Sequence, residues 1–356
     1  MSPQNFDINF LLGEVVRVQA SDLHLQISLP PIIRRHGHLA PIVNTEALSQ
    51  SAITSLIYST LTEEQQGILA KERELDYSIS YGDIARFRVN AFYERSNLAA
   101  AFRLIPTKIP VLADLGLPRS VQQFANMTQG LVLFTGPTGS GKSTTMAALI
   151  DHINTNRTTR IITIEDPVEF VHQNKRSIIA QREVNFDTKS FAKALKSCLR
   201  EDIDVVLIGE MRDLETIAAA MTIAETGHLV FATLHTNSAA QTIDRVIDVF
   251  PADQQGQIRT QLSMILAGIV SQRLVPNNEG KRSLATEVLL ATSAISNLIR
   301  ESKTYQIDSA ISTSAAMGMQ SMNRSLVDLV RAGKITANQA KDYSINPSEL
   351  ERLMRS

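Results

Sequence analysis

The residues best suited to chemistry lie in one stretch, "FTGPTGSGKSTTMAALI", residues 134–150. Gly136-Pro137-Thr138-Gly139-Ser140-Gly141-Lys142-Ser143 fits the pattern G-x-x-x-x-G-K-[ST], and Thr144 continues the run of hydroxyls. The glycines let the backbone wrap a phosphate with its N–H groups pointing inward. Lys142 can then reach the β- and γ-phosphates, and Ser143 can offer a hydroxyl to Mg²⁺. A helix opening near Lys142 adds the positive end of its dipole. A chance glycine-rich turn matches the same letters, but rarely between an apolar strand-like run and an apolar helix-like one. The stretch reads as a site for the phosphates of a nucleoside triphosphate.

Hydrolysis needs more than binding, because a carboxylate must position water and help hold the metal. Ligands of open α/β sheets sit beyond the carboxyl ends of strands, so acids are sought there. "RIITI" runs into Glu165-Asp166-Pro167-Val168-Glu169, and "DVVLIG" runs into Glu210-Met211-Arg212-Asp213. Each acid alone also fits a solvated loop charge, and Asp213 reads as a helix N-cap. Two acidic clusters at consecutive strand ends beside a phosphate loop single out Glu169 and Glu210. His228 and His235 bracket the next apolar run. Their opposite parity on a strand keeps the rings from converging on a metal. His235, at the carboxyl edge, fits a γ-phosphate sensor or a satisfied strand-end histidine. His228, at the other end, is structural or faces another subunit.

These groups need elements to position them. Short apolar runs at 131–134, 161–164, 205–208 and 229–234 alternate with helical segments. Such runs, lacking polar alternation, suit strands buried on both faces of a parallel sheet, so the expected fold class is α/β. From about residue 254 the pattern reads as mostly helical, through "QLSMILAGIVSQRL", "ATSAISNLIRES" and "MNRSLVDLVRAGKI".

The first hundred residues differ. "SDLHLQIS" alternates like a half-buried strand, "PPIIRRHGHLAPI" predicts two strands about a Gly37 turn, and "TEALSQSAITSLIYSTL" predicts a helix from Asn44 or Thr45. An antiparallel meander should follow, turning at Gly82–Asp83 and Ser96–Asn97. The expected division is therefore residues 1–107, a hinge over 108–118, and 119–356 with a C-terminal helical subdomain from about 254.

Composition narrows the field. The 356 residues carry 35 basic and 36 acidic side chains, a net charge of −1, which gives no bulk reason to expect nucleic acid. One cysteine, Cys198, excludes an internal disulfide and any multi-cysteine zinc site. No apolar stretch reaches the roughly 18 residues of a membrane span, and the first residues lack a signal peptide's basic and apolar regions. A cytoplasmic protein is expected, held to a membrane at most by a partner.

Four stretches in order, "GPTGSGKSTTMAALI", "IITIEDPVEFVH", "LREDIDVVLIGEMRDLETI" and "AETGHLVFATLHTNSAAQTIDRVIDVFP", resemble the Walker A, Asp, Walker B and His boxes of the secretion-type ATPases. Within that family the chain is similar to the motors that retract type IV pili, and "SDLHL" and "RFRVNAFYERS" extend the likeness over nearly the whole chain. The resemblance implies ATP and Mg²⁺ as ligands, with Lys142 and Ser143 in the loop and Glu210 as the Walker B carboxylate. It implies Glu169 as the water-activating base, Glu165 as an alternative or supporting acid, and His228 and His235 as the His box.

It also implies a RecA-like core with a mixed α+β, PAS-like N-terminal domain, assembled as a homohexamer. In such rings N-terminal arginines approach the phosphates on closure. Arg88 and Arg103 match those positions, and Arg95 is a further candidate. The implied partners are an inner-membrane platform protein of the PilC kind and paralogous pilus motors, with the chain peripheral to that membrane. "AISNLIRE", residues 294–301, matches the retraction signature except that Ser296 stands where an arginine is usual. The accessory retraction motor is therefore the alternative, ahead of an assembly motor or a nucleic-acid translocase. A non-hydrolysing nucleotide-binding subunit would not need complete acidic boxes.

Overall fold

Two periodicities divide the chain, and the structure, a computed structural model describing residues 7–35, 37–82, 84–105 and 108–355, follows them. Contacts cluster into two compact units, Met1–Lys108 and Ile109–Ser356.

Period-two alternation builds the first unit. Strands β1 (Asp22–Leu25), β2 (Ile32–Arg35), β3 (His38–Pro41), β4 (Glu74–Tyr81), β5 (Ala85–Glu94) and β6 (Asn97–Ile105) form one sheet in the order β3-β2-β1-β6-β5-β4. All neighbours run antiparallel. Leu23, Phe87, Val89 and Phe102 are fully buried in a core shared with α1 (Ile8–Arg17), α2 (Gln50–Tyr58) and α3 (Glu63–Glu72). Helix α2 begins five residues later than Thr45. The Thr45 hydroxyl donates to the Ile42 carbonyl (2.6 Å) and closes a turn, while Ser49 supplies the cap by accepting the Ala52 N–H. The β5–β6 turn falls on Arg95 and Ser96, both at positive φ, and Asn97 already opens β6. Asp83 lies outside the described residues.

Continuous apolar runs build the second unit. Strands β7 (Gly130–Thr135), β8 (Arg160–Glu165), β9 (Ile178–Glu183), β10 (Val205–Ile208), β11 (Leu229–Thr233), β12 (Leu266–Pro276) and β13 (Arg282–Leu290) lie in the order β13-β12-β7-β11-β10-β8-β9. Pairing is parallel except between β12 and β13. Leu131, Leu133, Ile162, Val206 and Ile208 enter one core cluster, whereas Val132, Phe134, Ile161, Val205 and Leu207 enter the other. Both faces are buried, which is why the runs show no polar alternation. The surrounding helices are α4 (Arg119–Gln122), α5 (Lys142–Asn156), α6 (Phe191–Cys198), α7 (Leu214–Glu225), α8 (Ala239–Asp248) and α9 (Gln255–Ile265). After β13 come α10 (Ser293–Arg300), α11 (Ile307–Thr313), α12 (Met322–Arg331), α13 (Ala337–Tyr343) and α14 (Pro347–Arg355).

The region after residue 254 departs from the mostly helical expectation. Helix α9 stops at Ile265, and "LAGIVSQRLVP" is a strand seated beside β7. Ile269 and Val270 enter opposite core clusters, so this run is a core strand like those before it. Gly268 is required there, because a Cβ would stand 2.4 Å from the Phe124 ring. Residues 108–118 carry a short 3₁₀ turn, Leu112–Leu115, and Leu112 and Leu117 are buried in the second unit's core. Among the described residues no helix is long and apolar enough to cross a membrane.

Candidate active site

The loop after β7 is shaped by its glycines. Gly136, Gly139 and Gly141 sit at φ +133°, +78° and +93°, where side chains are strained. A Cβ on Gly136 would meet the Gln272 carbonyl at 2.3 Å, so β12 passes directly against the loop. Gly141 caps α5 without a side-chain bond, and the first helical bond runs from the Thr145 N–H to the Gly141 carbonyl (3.0 Å). The N–H groups of Lys142, Ser143 and Thr144 therefore precede the helical ladder and suit an anion. Lys142, 8% exposed, donates to the Gly136 (2.8 Å) and Pro137 (3.1 Å) carbonyls. Burial pulls its pKa down, and Glu210 and Glu169 oppose that pull. The Ser140 hydroxyl is buried and unpartnered.

The carboxyl ends of β7, β11, β10 and β8 lie side by side, and each delivers one chemical group. His235 follows β11, and its Nε2 stands 3.1 Å from Glu210 Oε1. Glu210 follows β10 after Gly209, whose N–H donates to the Ile164 carbonyl (2.8 Å). A Cβ on Gly209 would lie 3.2 Å from the Glu165 Cα, so glycine lets the two strand ends close together. Burial works against the charge of Glu210, but hydrogen bonds from Arg212 (2.6 Å) and His235 outweigh it and hold the pKa below the usual glutamate range.

Glu165 ends β8. It accepts from the Thr163 hydroxyl (2.6 Å), the Gln181 amide (3.2 Å) and the Glu169 N–H (3.3 Å), and burial pushes its pKa up. Glu165 thus braces the turn that carries the exposed Glu169. Asp213 caps α7, accepting from the Thr216 N–H (2.8 Å) and hydroxyl (2.9 Å).

One residue of the sequence reading, His228, lies away from this cluster within the second unit, and two others belong to the first unit. His228 precedes β11 at the opposite end of the sheet, where its carbonyl accepts the Gly130 N–H (3.0 Å) and its Nδ1 meets the Ile223 carbonyl (3.1 Å). This is the opposite end that the strand parity implies, and five residues of strand separate His228 from the carboxyl edge of His235. Arg88 and Arg103 belong to the first unit, directly opposite each other on β5 and β6. Arg103 Nε donates to Asp22 Oδ1 (2.9 Å), and Arg88 is exposed.

The sequence pattern missed the support behind the loop. Ser271 and Gln272, both fully buried on β12, grip it from two sides. The Thr135 hydroxyl donates to Ser271 Oγ (3.0 Å), and the Gln272 amide donates to Thr145 Oγ1 (2.8 Å). Their signal was a polar pair inside an otherwise apolar run.

The profile of the Type II/IV secretion system protein family matches residues 2–316. The chain is 47% identical over 341 residues to the type IV pilus retractation ATPase PilT of Pseudomonas aeruginosa, covering 96% of this chain and 99% of that protein. It is 40% identical over 346 residues to the type IV pilus ATPase PilU of the same organism, covering 97% and 90%. A crystal structure of the pilus retraction motor PilT with bound ADP superposes with a TM-score of 0.92 at 46% identity, over 98% of this chain and 99% of the other. A P-loop on a RecA-like sheet, acids at the neighbouring strand ends and a family match over most of its length show that the chain belongs to the Type II/IV secretion system proteins, as an ATPase.

Proposed function

We propose that the chain is an ATP-driven motor that retracts type IV pili. One observation carries the chemistry: the phosphate loop, Glu210 and His235 converge at adjacent strand ends, with Glu169 on the turn beside them. ATP places its β- and γ-phosphates on the loop amides and Lys142. The Ser143 hydroxyl and Glu210 carboxylate are hard oxygen donors that suit Mg²⁺, which takes one or two protein ligands and completes its shell with phosphate and water. When bound, the ion neutralises charge developing on the phosphates. Glu169 orients the attacking water, held out by the Glu165 brace. His235 hydrogen-bonds Glu210 and reads the γ-phosphate from the same edge. Arg88 and Arg103 supply further positive charge to that phosphate, and Asp22 fixes the direction of Arg103.

The movement rests on a difference in ATP affinity between open and closed forms, since a ligand shifts an equilibrium only by that difference. Residues 108–118 are the proposed hinge, a homohexamer the working assembly, and a membrane platform protein the load. Identity of 47% to the retractation ATPase PilT against 40% to the type IV pilus ATPase PilU favours retraction itself. Deleting the gene and counting surface pili tests this. Excess pili that fail to shorten are expected; bald cells would mean assembly instead.

A further inference from the structure

Glu287 is a buried carboxylate of the second unit's sheet that the phosphate chemistry above does not use. It stands on β13, 7% exposed, and holds two parts of the site at once. Its Oε1 accepts the Ala239 N–H at 2.7 Å and the Ser271 hydroxyl at 3.4 Å. Ser271 in turn accepts the Thr135 hydroxyl at 3.0 Å. Thr135 is the residue immediately before the phosphate loop, and Ala239 opens α8, the helix that follows the His235 turn. We propose that Glu287 is a positioning residue for ATP hydrolysis, tying the root of the phosphate loop through Ser271 to the start of the helix behind His235.

The carboxylate form makes the stronger tie. A negative charge at the amino end of a ten-residue helix is favoured by its dipole, and an ionised acceptor strengthens both hydrogen bonds. Glu287 also borders a cavity of about 750 Å³, which gives protons a path to it. The charged groups facing it there are Asp308 of α11 and Glu349 and Arg352 of α14; α8, α12 and β12 contribute only uncharged side chains such as Gln241, Asn323 and Ser271. Burial pushes the Glu287 pKa up to about 7, opposed by the Ala239 N–H and reinforced by Asp308 and Glu349. The tie therefore tightens as pH rises through that value and loosens below it.

The inference rests on the ATPase reading, and the test separates the two. Steady-state turnover at saturating ATP is measured for the full chain, Glu287→Gln and Ser271→Ala between pH 6 and 8.5. Near pH 8.5 the wild type should exceed Glu287→Gln by about tenfold, the worth of a hydrogen bond to a charged group. That ratio should approach one near pH 6, where the wild-type carboxyl is protonated, with the KM for ATP little changed. Ser271→Ala, which cuts the link to Thr135 and keeps the charge, should lower kcat at every pH. A ratio constant across pH overturns the proposal, as does a wild-type kcat in Ser271→Ala, which decides the matter if Glu287→Gln does not fold. Absence of turnover in the wild type would instead remove the ATPase reading itself.

Discussion

Glu210 gets its character from its neighbours more than from its place in the chain. Arg212 and His235 hold its carboxyl below the usual range despite partial burial. Because the folded pKa is depressed, the stabilisation carried by ionised Glu210 is present above the unfolded value and lost as pH falls through the folded one. Arg212→Ala should therefore raise the titration point of the Glu210 carboxyl, followed by carbon-detected NMR; an unmoved titration would mean the guanidinium is a bystander. Residue-level chemistry was legible where its parts are contiguous. The loop from Gly136 to Ser143 and the Asp213 cap needed only local spacing. Ser271, Gln272 and Glu287 were invisible because their partners, Thr135, Thr145 and Ala239, are brought near only by the sheet order.

At the scale of elements, the parallel strands announced themselves because burial on both faces forbids polar alternation. At β12 an apolar run continuous with α9 masks the change from helix to strand. Two neighbours decide that change: β7, which offers a parallel edge, and Phe124, which leaves room only for Gly268. The close passage of β12 also gives a prediction. Gly136→Ala places a Cβ 2.3 Å from the Gln272 carbonyl at a φ costly for side chains, and such strain is worth about 1–3 kcal/mol before any overlap. ATP affinity, read by calorimetry, should fall about tenfold or more; binding equal to wild type would show that the loop does not need its observed path.

For the whole molecule, basic and acidic side chains nearly balance, and among the described residues no helix is long and apolar enough to cross a membrane. The two units are built on opposite principles, an antiparallel sheet with one buried face and a parallel sheet with two, and the change of period along the sequence made that division readable. The proposed role of Arg88 and Arg103 at the phosphate rests on resemblance alone, since no local pattern links either residue to a loop so distant in sequence. We propose that the second unit cleaves the phosphate it cradles, with Glu210 as an essential carboxylate. Steady-state phosphate release by purified wild type, Lys142→Ala and Glu210→Ala decides this. Turnover should be measurable in the wild type and fall by about 10² or more in both variants; a Glu210→Ala protein that hydrolyses ATP at the wild-type rate would contradict the account.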